Sequence, residues 1–208
     1  MNRGLQIEDC RLRAISINLQ SEICNLPFSH EGLPMRFSWV LALGGLVVAA
    51  GGVSAAETKV EVKNTHLCCN RCVQVVGQIL QKVDGVTGKC DRGSSTISIT
   101  AKDKEAAQKA LDALAEGGFT GTIDNKELTI KDDSGVTKGK VKSLTLTGIH
   151  NCCNACNEGI NKALGQVKGV TANTAKARSD TFEVTGDFDA EQLVKALNAA
   201  GFHVKVKK

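Results

Sequence analysis

A chain of 208 residues has room for one or two domains. Six Phe, one Trp and no Tyr leave few large rings to line a pocket, which argues against a small-molecule substrate. The net charge of +4 comes without a dense block of Lys or Arg in the region after residue 57, so no nucleic-acid partner is expected.

The first 34 residues hold Cys10, Cys24 and both prolines and lack a clear period. They precede a segment that reads as a secretory signal peptide over 35–56. That segment has a positive start at Met35-Arg36, an apolar run from Val40 to Ala50, and small residues at Val53-Ser54-Ala55-Ala56. The run is short for a membrane span, which needs about 20 residues. Translation is therefore expected to begin at Met35, with residues 1–34 an over-extended and unstructured N-terminus. Cleavage near Ala55 or Ala56 would release the protein to the periplasm or the exterior. An uncleaved segment would leave it membrane-anchored.

Val60 and Val62 alternate with Lys59, Glu61 and Lys63, the period of a half-buried strand. Next comes His66-Leu67-Cys68-Cys69-Asn70-Arg71-Cys72, three thiols and an imidazole within seven residues. Val73, Val76, Leu80 and Val83 then recur at helical spacing up to Gly85. Strands follow at Val86–Cys90 and around Ile97 and Ile99, separated by the turn Gly93-Ser94-Ser95. A second helix is expected from Asp103, as N-cap, through Ala106, Ala107, Ala110, Leu111 and Leu114 to Gly117-Gly118, and a last strand from Phe119.

Residues 125–141 read as a linker. Lys126–Lys131 alternates well enough to add a strand after a turn at Asp124-Asn125. Asp132–Gly135 and Lys138–Lys140 read as a polar, flexible link.

The order then repeats. His150-Asn151-Cys152-Cys153-Asn154-Ala155-Cys156 restates the cysteine cluster 84 positions on, and Gly169-Val170-Thr171 answers Gly85-Val86-Thr87 at the same offset. Leu144 and Leu146 mark the strand before the cluster. Ile160, Leu164 and Val167 mark the helix after it, with strands at Val170 and at Phe182 and Val184. A second helix runs from about Asp189 through Leu193, Val194 and Leu197 to Gly201, and His203–Val206 closes the sheet, with His203 facing solvent. A repeat that reaches beyond the cysteines is a repeated fold. Each copy has the order β-α-β-β-α-β, so the chain is expected to be α+β: two ferredoxin-like sandwiches over 57–124 and 142–208.

Strand, cysteine loop, helix puts the second and third thiol of each cluster at a helix start, where free amide N–H groups favour thiolate, the form that binds metal. Such soft ligands suit Cu(I), Zn(II) and similar thiophilic ions. The candidate ligands are Cys68, Cys69 and Cys72 with His66, and Cys152, Cys153 and Cys156 with His150. Two sulfurs allow near-linear coordination, three a trigonal site, and three with the imidazole a Cys₃His tetrahedron. Each His otherwise hydrogen-bonds its loop or meets solvent.

In these residues the sequence resembles the heavy-metal-associated domain family, which includes periplasmic mercury-binding proteins, copper chaperones and modules of metal-pumping ATPases. Cys69 and Cys72, and Cys153 and Cys156, match the two cysteines of the family's G-M-x-C-x-x-C motif. Gly118-Phe119 and Gly201-Phe202 resemble its glycine-aromatic pair, whose ring packs near the metal loop. The Met position holds Leu67 in one copy and Asn151 in the other, so its hydrophobic support of the loop is kept once and lost once. The resemblance implies a non-enzymatic carrier that binds one transition-metal ion per domain (copper or zinc foremost, Hg(II) also thiophilic). It would sequester the ion or hand it to a membrane transporter or another metal-binding domain.

Two other readings compete. Structural disulfides would fit an exported protein, but seven cysteines after residue 57 are an odd number, and short loops gain least from closure. Thiol-disulfide exchange through the CxxC pairs is the alternative function. It resembles the thioredoxin pattern, whose cis-proline is missing here: no Pro follows Pro34. Cys90, which has Thr174 as its counterpart, is expected to be a small half-buried thiol.

Overall fold

The computed structural model describes residues 56–207; the expectations for 1–34 and for most of the signal segment lie outside the described residues. The first half runs β1 (Thr58–Lys63), α1 (Asn70–Leu80), β2 (Val86–Asp91), β3 (Thr96–Ala101), α2 (Lys104–Glu116) and β4 (Thr122–Ile123). The second runs β5 (Lys140–Thr147), α3 (Asn154–Leu164), β6 (Val170–Asn173), β7 (Phe182–Asp189), α4 (Ala190–Ala199) and β8 (Lys205–Val206). The sheets have the orders β2-β3-β1-β4 and β6-β7-β5-β8 and are antiparallel throughout. This is the tandem ferredoxin-like α+β fold that the element order implies.

Alternation sets the register. Val60 lies opposite Ile99 and Val62 opposite Ile97, while Leu144 faces Val184 and Leu146 faces Phe182. These pairs turn one apolar face toward the helices, which bury Val76, Leu80, Leu111 and Leu114 in one half and Ile160, Leu164, Leu193 and Leu197 in the other. The second helix of each half starts where an aspartate accepts a backbone N–H: Asp103 from Ala106 at 2.7 Å and Asp189 from Gln192 at 2.9 Å.

Several boundaries differ from the sequence reading. The first helix of each half stops at Leu80 or Leu164, and Val83 and Val167 sit in the turn that follows. The closing strands are two residues each and begin at Thr122 and Lys205, not at Phe119 and His203. The chain near Phe119 and Phe202 is instead used between the halves. Those two residues form an antiparallel bridge, with Thr120 N donating to the Gly201 carbonyl at 3.3 Å and His203 N to the Gly118 carbonyl at 3.1 Å.

The connector carries no strand at Lys126–Lys131. Leu128 is buried against the core instead, and Gln108 of α2 holds Thr129 by both its N–H and its carbonyl. The link is also not a free one. Val206 N donates to the Ser134 carbonyl at 2.7 Å, and Asp133 pairs with His203 at 2.7 Å and Lys205 at 2.5 Å. His203 is 3 % exposed, so its expected place on the surface is corrected: the connector covers that side of the sheet.

Candidate metal centre

Both cysteine loops lie between the first strand and the first helix of their half. Cys69 and Cys153 are the N-caps of α1 and α3, and neither thiol caps its helix. Cys72 and Cys156, three positions on, are fully buried on the inner side of the first turn. Leu67 is 4 % exposed and packs under the first loop. Its counterpart Asn151 is 5 % exposed and supports the second loop by a different means. Its side-chain amide N–H donates to the Lys176 carbonyl at 2.9 Å and to Asn157 Oδ1 at 3.3 Å, and its backbone carbonyl accepts from Arg178 N. The hydrophobic support lost at this position is replaced by hydrogen bonds. In the first half Arg92 donates to the Cys68 carbonyl at 2.8 Å and to Asn70 at 2.9 Å.

The two loops face each other across the seam between the halves. Their six sulfurs form one connected group. Within a half, Cys72 is 3.7 Å from Cys68 and from Cys69, and Cys156 is 3.7 Å from Cys152 and from Cys153. Across the seam, Cys68 is 3.3 Å from Cys156 and 3.5 Å from Cys153, Cys69 is 3.7 Å from Cys152, and Cys72 is 3.8 Å from Cys152 and 4.0 Å from Cys156. Sequence reasoning located each cluster but missed that they meet. Cys90, on β2, is half-buried and outside the group.

The imidazoles are placed crosswise. His66 stacks on Phe202 of the other half, ring centroids 4.2 Å apart, and His150 stacks on Phe119 at 4.4 Å. The ring of each glycine-aromatic pair thus packs near a cysteine loop, but near the loop of the opposite half. Nε2 of each imidazole is buried without a hydrogen-bond partner. Burial also pushes the His66 pKa below its ordinary value, which keeps the ring neutral and its nitrogen free to ligate.

The thiols are not equivalent. A hydrogen bond from Cys156 holds Cys72 well below the ordinary thiol range despite burial, and the same contact, with burial, pushes Cys156 up. Burial raises Cys68, and it raises Cys152 to about 12. At Cys153 burial pushes upward too, but the amide N–H groups at the start of α3 and the neighbouring thiols outweigh it, bringing the pKa to about 7. A site that holds thiolate beside thiols and the neutral His66 imidazole fits a soft cation, which would displace the remaining protons. Sets of three or four ligand atoms within 4.8 Å of one another include Cys68, Cys69 and Cys72; Cys69, Cys152 and Cys153; His66, Cys68 and Cys156; and Cys72, His150, Cys152 and Cys156.

No family model matches the chain, and no curated protein does. Among solved structures, it is similar to oxidized MerP from Ralstonia metallidurans CH34, with 28 % identity over 32 % of this chain and 97 % of that one and a TM-score of 0.30. It is similar to the PacS N-terminal domain from Synechocystis PCC6803, with 26 % identity over 33 % of this chain and 100 % of that one and a TM-score of 0.29. It also matches the N-terminal soluble domains of Bacillus subtilis CopA, with 16 % identity over 74 % of this chain and 95 % of that one and a TM-score of 0.29. By its strand order, its internal repeat and the place of its cysteine loops, the chain is similar to tandem heavy-metal-associated domain proteins.

Proposed function

We propose that this protein is an exported carrier of a thiophilic cation, such as Cu(I), Zn(II) or Hg(II), held through the HxCCxxC loops at two ions per chain. The observation that carries the reading is the meeting of six sulfurs at 3.3–4.0 Å across the seam. Thiols packed so closely gain little as core residues, whereas a metal–sulfur bond of about 2.3 Å places tetrahedral ligands about 3.8 Å apart. The chain's work would be sequestration or hand-over, each incoming thiolate of a membrane transporter or another metal-binding domain replacing an outgoing one. This is carrier chemistry, without turnover of a substrate. The signal-like segment at 35–56 supports export to the periplasm or the exterior.

Metal analysis and a thiol count on protein isolated from its native compartment test the reading. About two equivalents of metal on the reduced protein are expected, with uptake lost when Cys72 and Cys156 are both replaced by Ser. Metal-free protein that nevertheless reduces insulin disulfides would instead favour thiol-disulfide exchange, for which the 3.3 Å contact of Cys68 and Cys156 is the supporting observation. N-terminal sequencing of the exported form tests the cleavage near residue 56.

A further inference from the structure

The sulfurs and imidazoles at the seam do not sort into one triplet per half. His150, Cys152 and Cys156 have their ligand atoms within 4.8 Å of one another and of Cys72, which comes from the other half. Exchanging the halves gives His66, Cys68 and Cys72 with Cys156. His66, Cys68 and Cys156 meet the same 4.8 Å limit, and Cys72 lies 3.7 Å from Cys68 and 4.0 Å from Cys156. Each set is three thiols and one imidazole, and both contain Cys72 and Cys156, the two fully buried cysteines among the described residues. The five sulfur separations within the sets are 3.3, 3.7, 3.7, 3.8 and 4.0 Å. They bracket the roughly 3.8 Å edge of a tetrahedral thiolate site.

Resting on the metal-binding reading above, we propose that the seam takes two divalent d¹⁰ cations as one binuclear core, with Cys72 and Cys156 bridging both ions. Cys152 and His150 complete one ion, and Cys68 and His66 complete the other. Cys69 and Cys153, the helix N-caps, stay outside the core as entry and exit ligands. Two observations beyond the spacing support this. Nε2 of both imidazoles is buried without a partner, a costly arrangement unless a ligand fills it. Charge also balances: two divalent ions, four thiolates and two neutral imidazoles sum to zero. A pair of monovalent ions would leave two uncompensated charges around the buried Cys72 and Cys156. Unlike independent sites, each ion would hold both halves together.

The test is NMR of the reduced full chain loaded with isotopically enriched Cd(II), a divalent d¹⁰ probe. Two metal resonances with scalar coupling to each other are expected, since coupling passes only through a shared ligand. Two uncoupled resonances would overturn the bridged core while leaving metal binding intact. Uptake of Cu(I) alone, without Cd(II) or Zn(II), would overturn the divalent core, and failure to take up any of Cd(II), Zn(II), Hg(II) and Cu(I) would overturn the metal-binding reading itself. Cys72→Ser, with its fold checked by circular dichroism, gives a second readout. Both resonances should be lost or shifted together, and loss of one alone with the other unmoved would overturn the proposal. The wild-type coupling decides the matter should that variant fail to fold.

Discussion

Phe202 lies against His66 with ring centroids 4.2 Å apart and planes 29° from parallel, so the last turn of the second half seats the imidazole of the first half's cysteine loop. Phe119 does the same for His150 at 4.4 Å and 29°. The halves are tied by this exchange at the place where their thiols meet.

Replacing either ring should therefore cost both stability and metal retention. Phe202 and Phe119 are each 1 % exposed, and truncating a buried Phe to Ala costs about 3–5 kcal/mol. Urea unfolding of the reduced, metal-free protein should show a loss in that range for Phe202→Ala and a matching one for Phe119→Ala. Phe202→Leu keeps most of the bulk and should lose less. If the ring served only its own half, His66 chemical shifts would not respond to the substitution.

Gly201 and Gly118 make the exchange possible. A Cβ at Gly201 would stand 2.3 Å from His66 N, and one at Gly118 would stand 2.4 Å from His150 N, both on left-handed backbone at φ 85° and 83°. Gly201→Ala should loosen the seam beyond the backbone strain of about 1–3 kcal/mol. Gly135 supplies the control: its φ is 66°, but nothing lies within 4 Å of an added Cβ. Hydrogen exchange at the amides of Thr120 and His203, which bridge the halves, should accelerate in Gly201→Ala and stay slow in Gly135→Ala.

Asp133 fastens the connector to the second half through His203 and Lys205. Burial alone would raise its pKa, but hydrogen bonds from Lys205 and His203 outweigh that and hold it below the usual carboxylate value. A depressed folded pKa means that the stabilisation is present above the unfolded carboxylate pKa of about 3.9 and lost as pH falls through the folded value. Wild type should thus be more stable than Asp133→Asn at neutral pH, with the difference vanishing in acid, where the protonated Asp resembles Asn. Asp133→Ala should lose more, about 1–3 kcal/mol, because the buried His203 ring is then left without a partner. Thermal unfolding across the acid range checks both.

Where the chain speaks about one element and its neighbour in sequence, it was legible. The alternation of Val60 and Val62, the caps at Asp103 and Asp189 and the repeated cysteine clusters all mark features that the structure holds. What it hid depends on contacts between distant segments. His203 reads as an outward-facing polar residue, and only the connector's Asp133, 70 positions earlier, makes its burial affordable. Lys126–Lys131 alternates like a strand, yet Gln108 of α2 captures the backbone of Thr129 before any sheet edge can. Asn151 reads as a lost apolar support, because two of its three replacement partners, Lys176 and Arg178, lie on the β6–β7 loop. The crosswise seating of His66 and His150 has no periodic signature at all. Gly118-Phe119 and Gly201-Phe202 were its visible trace, and they point to a metal loop without saying whose.

Reactivity should separate the adjacent cysteines of the second loop. Cys153, brought down to about 7 by the amides of α3 and the neighbouring thiols, is substantially thiolate at neutral pH. Cys152, raised to about 12 by burial, stays a thiol there. Iodoacetamide applied to the reduced, metal-free protein at pH 7 should modify Cys153 well ahead of Cys152, and the Cys153 rate should rise through pH 7 and then level off. Peptide mapping by mass spectrometry reads the order directly. Bound Zn(II) should protect Cys152 further, since it lies 3.7 Å from Cys156 and 3.8 Å from Cys72 at the heart of the sulfur group. Equal labelling of the two would mean that the helix start does not activate the thiol of its N-cap residue, and hand-over would need a different first contact.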